Sequence, residues 1–230
     1  MNDAETARAL YRSFIPIMEH YENPCGWSGT FKEADFDYWR FLGHELLVSL
    51  IAPLLTEERY EIITDLLAEP LTVRNAHLGD GKPVDYTYAS EWLRSFEKLD
   101  QEHRKISYHG HLLHERHAGP LADVLPLQDF LAADYLLFLR GELAKDDWEE
   151  RGVPWGALEQ RLPPRGTTLH PHRRPHTDRA ELATTLGAPD VATLKERLTE
   201  RAGKLAPIWS NVGRHSHPLT RDQIEGIGTK

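Results

Sequence analysis

The chain has 230 residues, of which 40% are hydrophobic and 27% charged, and its formal net charge is −9. That length suits one large domain with a sizeable core, and the balance is that of a globular protein, which excludes general disorder. The acidic charge excludes a chain-wide nucleic-acid surface, because phosphate binding runs on clustered Lys and Arg.

Helical periodicity dominates the chain order from its start. A first helix is predicted over residues 5–21, perturbed at Pro16, and the loop ENPCGWSGTFKE follows it. The opening MNDAETARAL lacks the basic-then-apolar layout of a signal peptide, and Cys25, the one cysteine, cannot close an internal disulfide. A second helix is predicted over residues 34–55, with Asp35 and Asp37 near its positive end and Pro53 near its stop. Its apolar run, WRFLGHELLVSLIAPLL, contains Arg40, His44 and Glu45, so it reads as a core helix rather than a membrane span. Together these features give a cytoplasmic location as the expectation.

Thr56 is expected to cap a third helix, EERYEIITDLLAE. The one convincing β signal comes next: LTV and VDYTY flank NAHLGDGKP, which predicts a two-stranded ribbon near residues 71–88 turning at Asp80-Gly81. Helices resume at residues 90–105, 107–118 and 127–143. After Lys145 the texture changes, and PPRGTTLHPHRRPH has no apolar periodicity. Two short helices close the pattern, DRAELATTL ending at Gly187 and PDVATLKERLTERAGKL stopped by Pro207. The expected fold is mostly α: a helical bundle over residues 1–145 that includes the β-ribbon, an irregular linker or surface loop over 146–176, and a small C-terminal helical subdomain over 177–230.

The predicted helix over 127–143 carries the best mechanistic lead. At about 100° per residue, Leu127, Phe130, Leu131, Leu137 and Phe138 form one stripe with Asp134 at its centre. A carboxylate buried there needs a partner. His109 and Arg116, seven residues apart on the preceding helix, share the face of Ile106, Leu112 and Leu113 and are the expected ones. Glu45 lies on the face of Tyr38, Phe41 and Leu42 and needs a cation, a hydroxyl or a helix N-terminus for the same reason. Asp134, His109, Arg116 and Glu45 are therefore the candidate catalytic residues. Closed on one another they would be a structural network; converging on an open position they would be an acid/base or metal centre.

Thirteen histidines supply the metal candidates. His114 and His117 share a flank of their helix at i, i+3 spacing, which can give two ligands for a divalent metal, and His109 is a third candidate on the same helix. His170, His172 and His176 sit among prolines with Arg165, Arg173 and Arg174, a loop that could meet phosphate locally. HELLV begins like a zinc-protease motif but places Val48 where the second histidine must stand. P-loop, dinucleotide-binding, nucleophile-elbow, CxxC and calcium-loop signatures are absent from the sequence.

The leading expectation is a non-enzymatic helical module that binds another protein or its own copy. It rests on the missing catalytic signatures and on Trp27, Trp148 and Trp155 in irregular segments, a residue type enriched at interfaces. The alternative is a small metal-dependent hydrolase built on the His/carboxylate cluster, and the third is local nucleic-acid contact through the arginine-histidine loop. No cofactor is expected beyond such a metal, and no membrane partner.

Overall fold

The computed structural model describes residues 3–90, 93–104, 107–144 and 178–209, together with Ile224. It is a mostly helical bundle with a small two-stranded antiparallel sheet. Trp148, Trp155 and the arginine-histidine loop lie outside the described residues.

The N-terminal helix is two pieces, α1 (Ala4–Arg12) and α2 (Ile15–Glu19). Asp3 caps α1 by accepting from the Glu5 N–H at 3.0 Å. Pro16 lacks an N–H, so it is tolerated in the first turn of α2 and not in the middle of a continuous helix. A 3-10 turn over Glu33–Phe36 leads into α3 (Asp37–Thr56).

α3 is the axis of the bundle. It is apolar around most of its circumference and packs on α1, α2, α7 (Leu127–Ala144) and α4 (Tyr60–Ala68). Pro53 lies within α3 rather than stopping it, and Thr56 belongs to its last turn, where its hydroxyl donates to Ala52 O at 3.0 Å. The turn into α4 is made instead at Glu58, in the left-handed region with φ 56°.

The ribbon pairs β1 (Leu71–Asn75) with β2 (Gly79–Val84), Leu71 opposite Val84 and Val73 opposite Lys82. The chain turns earlier than the Asp80-Gly81 dipeptide suggests. Asn75 Oδ1 accepts the Leu78 N–H at 2.9 Å, closing the turn at Asn75 and leaving Asp80 and Gly81 inside β2. Of the VDYTY segment only Val84 is strand; Tyr86–Ser90 is a 3-10 turn that packs Tyr86 and Ala89 against the core.

α5 (Arg94–Glu102) and α6 (Tyr108–Ala118) follow, with Ser107 capping α6 through the Gly110 N–H at 3.1 Å. α8 (Asp178–Thr185) ends before Gly187, whose φ of +81° supplies the left-handed step, and packs on α4 through a Thr64–Thr185 hydroxyl contact of 2.9 Å. α9 (Val191–Trp209) continues past Pro207 and packs on α7, where Arg201 donates to Glu142 O at 2.9 Å. No described helix is long and apolar enough to cross a membrane.

Candidate functional site

Adjacent residues on α3 point about 100° apart, so His44 and Glu45 reach different neighbours. His44 is 1% exposed and turns both ring nitrogens to protein partners. Its Nε2 lies 2.8 Å from Asp134 Oδ1 on α7, and its Nδ1 lies 3.2 Å from Nε2 of His109 on α6. Asp134 is buried as its central place in the apolar stripe requires, and its direct partner is His44. Arg116 is not that partner. It makes a bidentate pair with Glu45, Nε to Oε1 at 2.6 Å and Nη2 to Oε2 at 3.0 Å.

His109 and Arg116 thus both reach residues of α3, one near the start of α6 and one near its end. His109 meets Asp134 only through His44. Its ring packs beside Phe41 and Phe96, with centroids 5.2 and 5.8 Å away. Burial, with the His44 ring adding to it, holds the His109 pKa well below the usual histidine value of 6.5.

Glu45, like Asp134 and Asp37, is a buried carboxylate. Burial pushes its pKa up, but the His117 ring close by and the Arg116 hydrogen bonds and charge outweigh that and hold it low. His117, 1% exposed, stacks on Phe130 with ring centroids 3.8 Å apart and sets Nε2 3.4 Å from Glu45 Oε1.

The three metal candidates are not brought together. His109 faces His44, His117 faces Glu45 and Phe130, and eight residues of helix separate them by about 12 Å. His114 is only half-buried, and His111 pairs with its own helix neighbour Glu115 at 3.2 Å. Among the described residues no group of three His, Cys, Asp or Glu side chains is set to hold a metal ion.

His44 stands with Arg40 and Glu45 in the apolar run of the sequence but is not among the candidate site residues drawn from it. The signal that could have found it is the one used for Asp134: a polar side chain inside an otherwise apolar helix.

A separate open cleft of about 800 Å³ lies between the 22–36 loop and the ribbon. Glu19, Glu22, Asp35 and Asp80 line it together with the rings of Phe36 and Trp39, and among the described residues Arg74 is the one lysine or arginine in its wall. Its edge is tied to α3 by Arg40, which is 5% exposed and donates to Tyr21 O and to Glu22 Oε1, both at 2.9 Å. Trp27, Phe31 and Tyr38 are exposed at 59, 45 and 66%. Phe31 packs on Phe36 and Tyr38 packs on Trp39, both of the wall, while Trp27 stands in the same loop two residues beyond Cys25 of the wall.

Comparison with protein-family models, with curated proteins and with solved structures finds no match to the chain. The geometry therefore stands alone. Chemically, the core offers a closed carboxylate pair at Glu45 and a carboxylate–imidazole–imidazole line at Asp134, and the surface offers an acidic cleft rimmed by aromatic rings.

Proposed function

We propose that the protein is a helical interaction module whose docking face is the cleft with its rim of Trp27, Phe31 and Tyr38. The observation that carries this reading is the pair of exposed rings, Phe31 and Tyr38, packed on the wall of one acidic cleft, with exposed Trp27 in the same loop. Large apolar side chains grouped in this way mark contact surfaces, and aromatic anchors contribute most of the energy at such surfaces. The occupant is a basic segment of a partner protein. Four wall carboxylates, of which Glu22 is already paired with Arg40, against one wall guanidinium still favour Lys or Arg entering, and the rings of Trp39 and Phe36 can receive a cation on their faces. A net charge of −9 steers such a segment toward the molecule from a distance.

The test uses a synthetic peptide with several arginines and one aromatic residue, and a control in which glutamates replace the arginines. Binding is followed by calorimetry at low and high salt, with light scattering run in parallel. The expectation is binding of the basic peptide only, weakened by salt and reduced at least about tenfold by Phe31→Ser with Tyr38→Ser, a loss of about 1.4 kcal/mol. Equal binding of both peptides, or no loss in the double variant, would contradict this reading. Self-association abolished by the same two substitutions would assign the face to a second copy instead.

A further inference from the structure

The line Asp134–His44–His109 extends further than a register-holding contact needs. A single hydrogen bond from His44 satisfies the buried carboxylate, yet the line continues to a third group whose residue keeps part of its surface exposed. The direction of each bond follows from elementary rules. A carboxylate only accepts, so His44 presents Nε2–H to Asp134 at 2.8 Å. In a neutral imidazole this leaves Nδ1 of His44 as an acceptor, and the group 3.2 Å away, Nε2 of His109, is then the donor. The remaining nitrogen of His109, Nδ1, holds the lone pair and has no hydrogen-bond partner among the described residues.

We propose that His109 is a general-base site that accepts a proton from a bound water molecule, with His44 and Asp134 as the positioning residues behind it. The step balances in protons. The water O–H gives its proton to Nδ1 of His109, while the Nε2 proton of His109 passes to Nδ1 of His44. His44 then carries protons on both nitrogens and lies against the Asp134 carboxylate, and the water is left as hydroxide, ready to attack an electrophilic carbonyl. The positive charge thus ends beside a carboxylate rather than on a ring packed against Phe41 and Phe96. This inference goes beyond the interaction-module reading and does not depend on it.

The groups facing His109 define its pH behaviour. His44 on α3 is the titratable neighbour, with Asp134 of α7 behind it, while Phe41 and Phe96 supply the apolar contacts. The test has two readouts on the full chain. In nitrogen-15 spectra of the imidazoles at neutral pH, both His44 and His109 should be the Nε2–H tautomer, with Nδ1 of His109 unprotonated. Asp134→Asn, whose side-chain NH₂ can itself donate to His44, should disturb the His44 pattern. Hydrolysis of p-nitrophenyl acetate should lose its protein-dependent rate in His109→Phe and fall at least about tenfold in Asp134→Asn. That rate should already be level at pH 6.5 and fall only below it, because His109 stays neutral there. An Nδ1–H tautomer at His109, a rate unaffected by His109→Phe, or a rate that climbs through pH 6.5 as for ordinary surface histidines would each overturn the proposal. The spectra of the unaltered protein decide the question even where a variant fails to fold.

Discussion

His109 shows how much one partly buried residue can couple to pH. Its folded pKa lies well below 6.5, because burial first and the neighbouring His44 second disfavour the charged form. Between that folded value and 6.5 the unfolded chain binds more protons at this residue than the native protein does. Stability from this residue therefore rises with pH and is lost as pH falls below 6.5, by up to about 1.4 kcal/mol per pH unit. Melting temperatures measured from pH 7.5 to 5 should show that decline, and His109→Phe should flatten it; equal slopes in the two proteins would contradict the assignment. Glu45 acts in the same sense in a lower window. Its lowered pKa contributes stability above the ordinary value of 4.5 that disappears as pH falls through the folded value. At this scale the sequence exposed that Asp134 and Glu45 would be buried, but not His44 or His117, and not which side chains would meet. Asp134 and Glu45 stand out because each sits on an apolar helical face. Partner choice depends on the rotation and offset of three packed helices, and a displacement of one turn is enough to give Arg116 to Glu45 and His44 to Asp134.

Among the elements, α3 shows why such rotations are fixed. Gly43 faces Tyr21, and a Cβ built there would stand 1.7 Å from the Tyr21 hydroxyl oxygen. Tyr21 is fully buried, donates to Ala89 O at 3.3 Å and stacks on Tyr88, so it has little room to give. Gly43→Ala gains helix propensity in a peptide but is expected to destabilise this protein by about 1–3 kcal/mol, the usual cost of overpacking. Urea denaturation should show this, and an unchanged or raised midpoint would mean that the contact between Tyr21 and α3 is looser than described. The helices themselves were legible because 3.6-residue periodicity is local information. Their boundaries are less so: Thr56 reads as a cap and Gly81 as a turn, but the Thr56 hydroxyl bonds back to Ala52 O within α3, and the Asn75 side chain closes the hairpin turn earlier. Pro16 was readable as a break because its missing N–H acts within its own turn.

Across the whole molecule, polar chemistry divides between two places that α3 connects. Its first turns carry Tyr38 and Trp39 at the acidic cleft, and its next turns carry His44 and Glu45 into the core. The exposed Trp27 was legible as a surface residue in an irregular segment, whereas the cleft was not, since Glu19, Asp35 and Asp80 come together only once the loop and ribbon have folded. A polar line centred on His44 joins α3, α6 and α7. A double-mutant cycle on His44 and Asp134 probes that contact, with unfolding free energies measured for His44→Leu, Asp134→Leu and the pair. Each single change leaves a buried polar group without its partner, a loss of about 1–3 kcal/mol. Removing both groups should therefore destabilise the protein by at least about 1 kcal/mol less than the sum of the two single losses, as expected for side chains in direct contact. Additivity within about 0.5 kcal/mol would contradict the account, because it would mean that His44 and Asp134 do not meet in the folded protein.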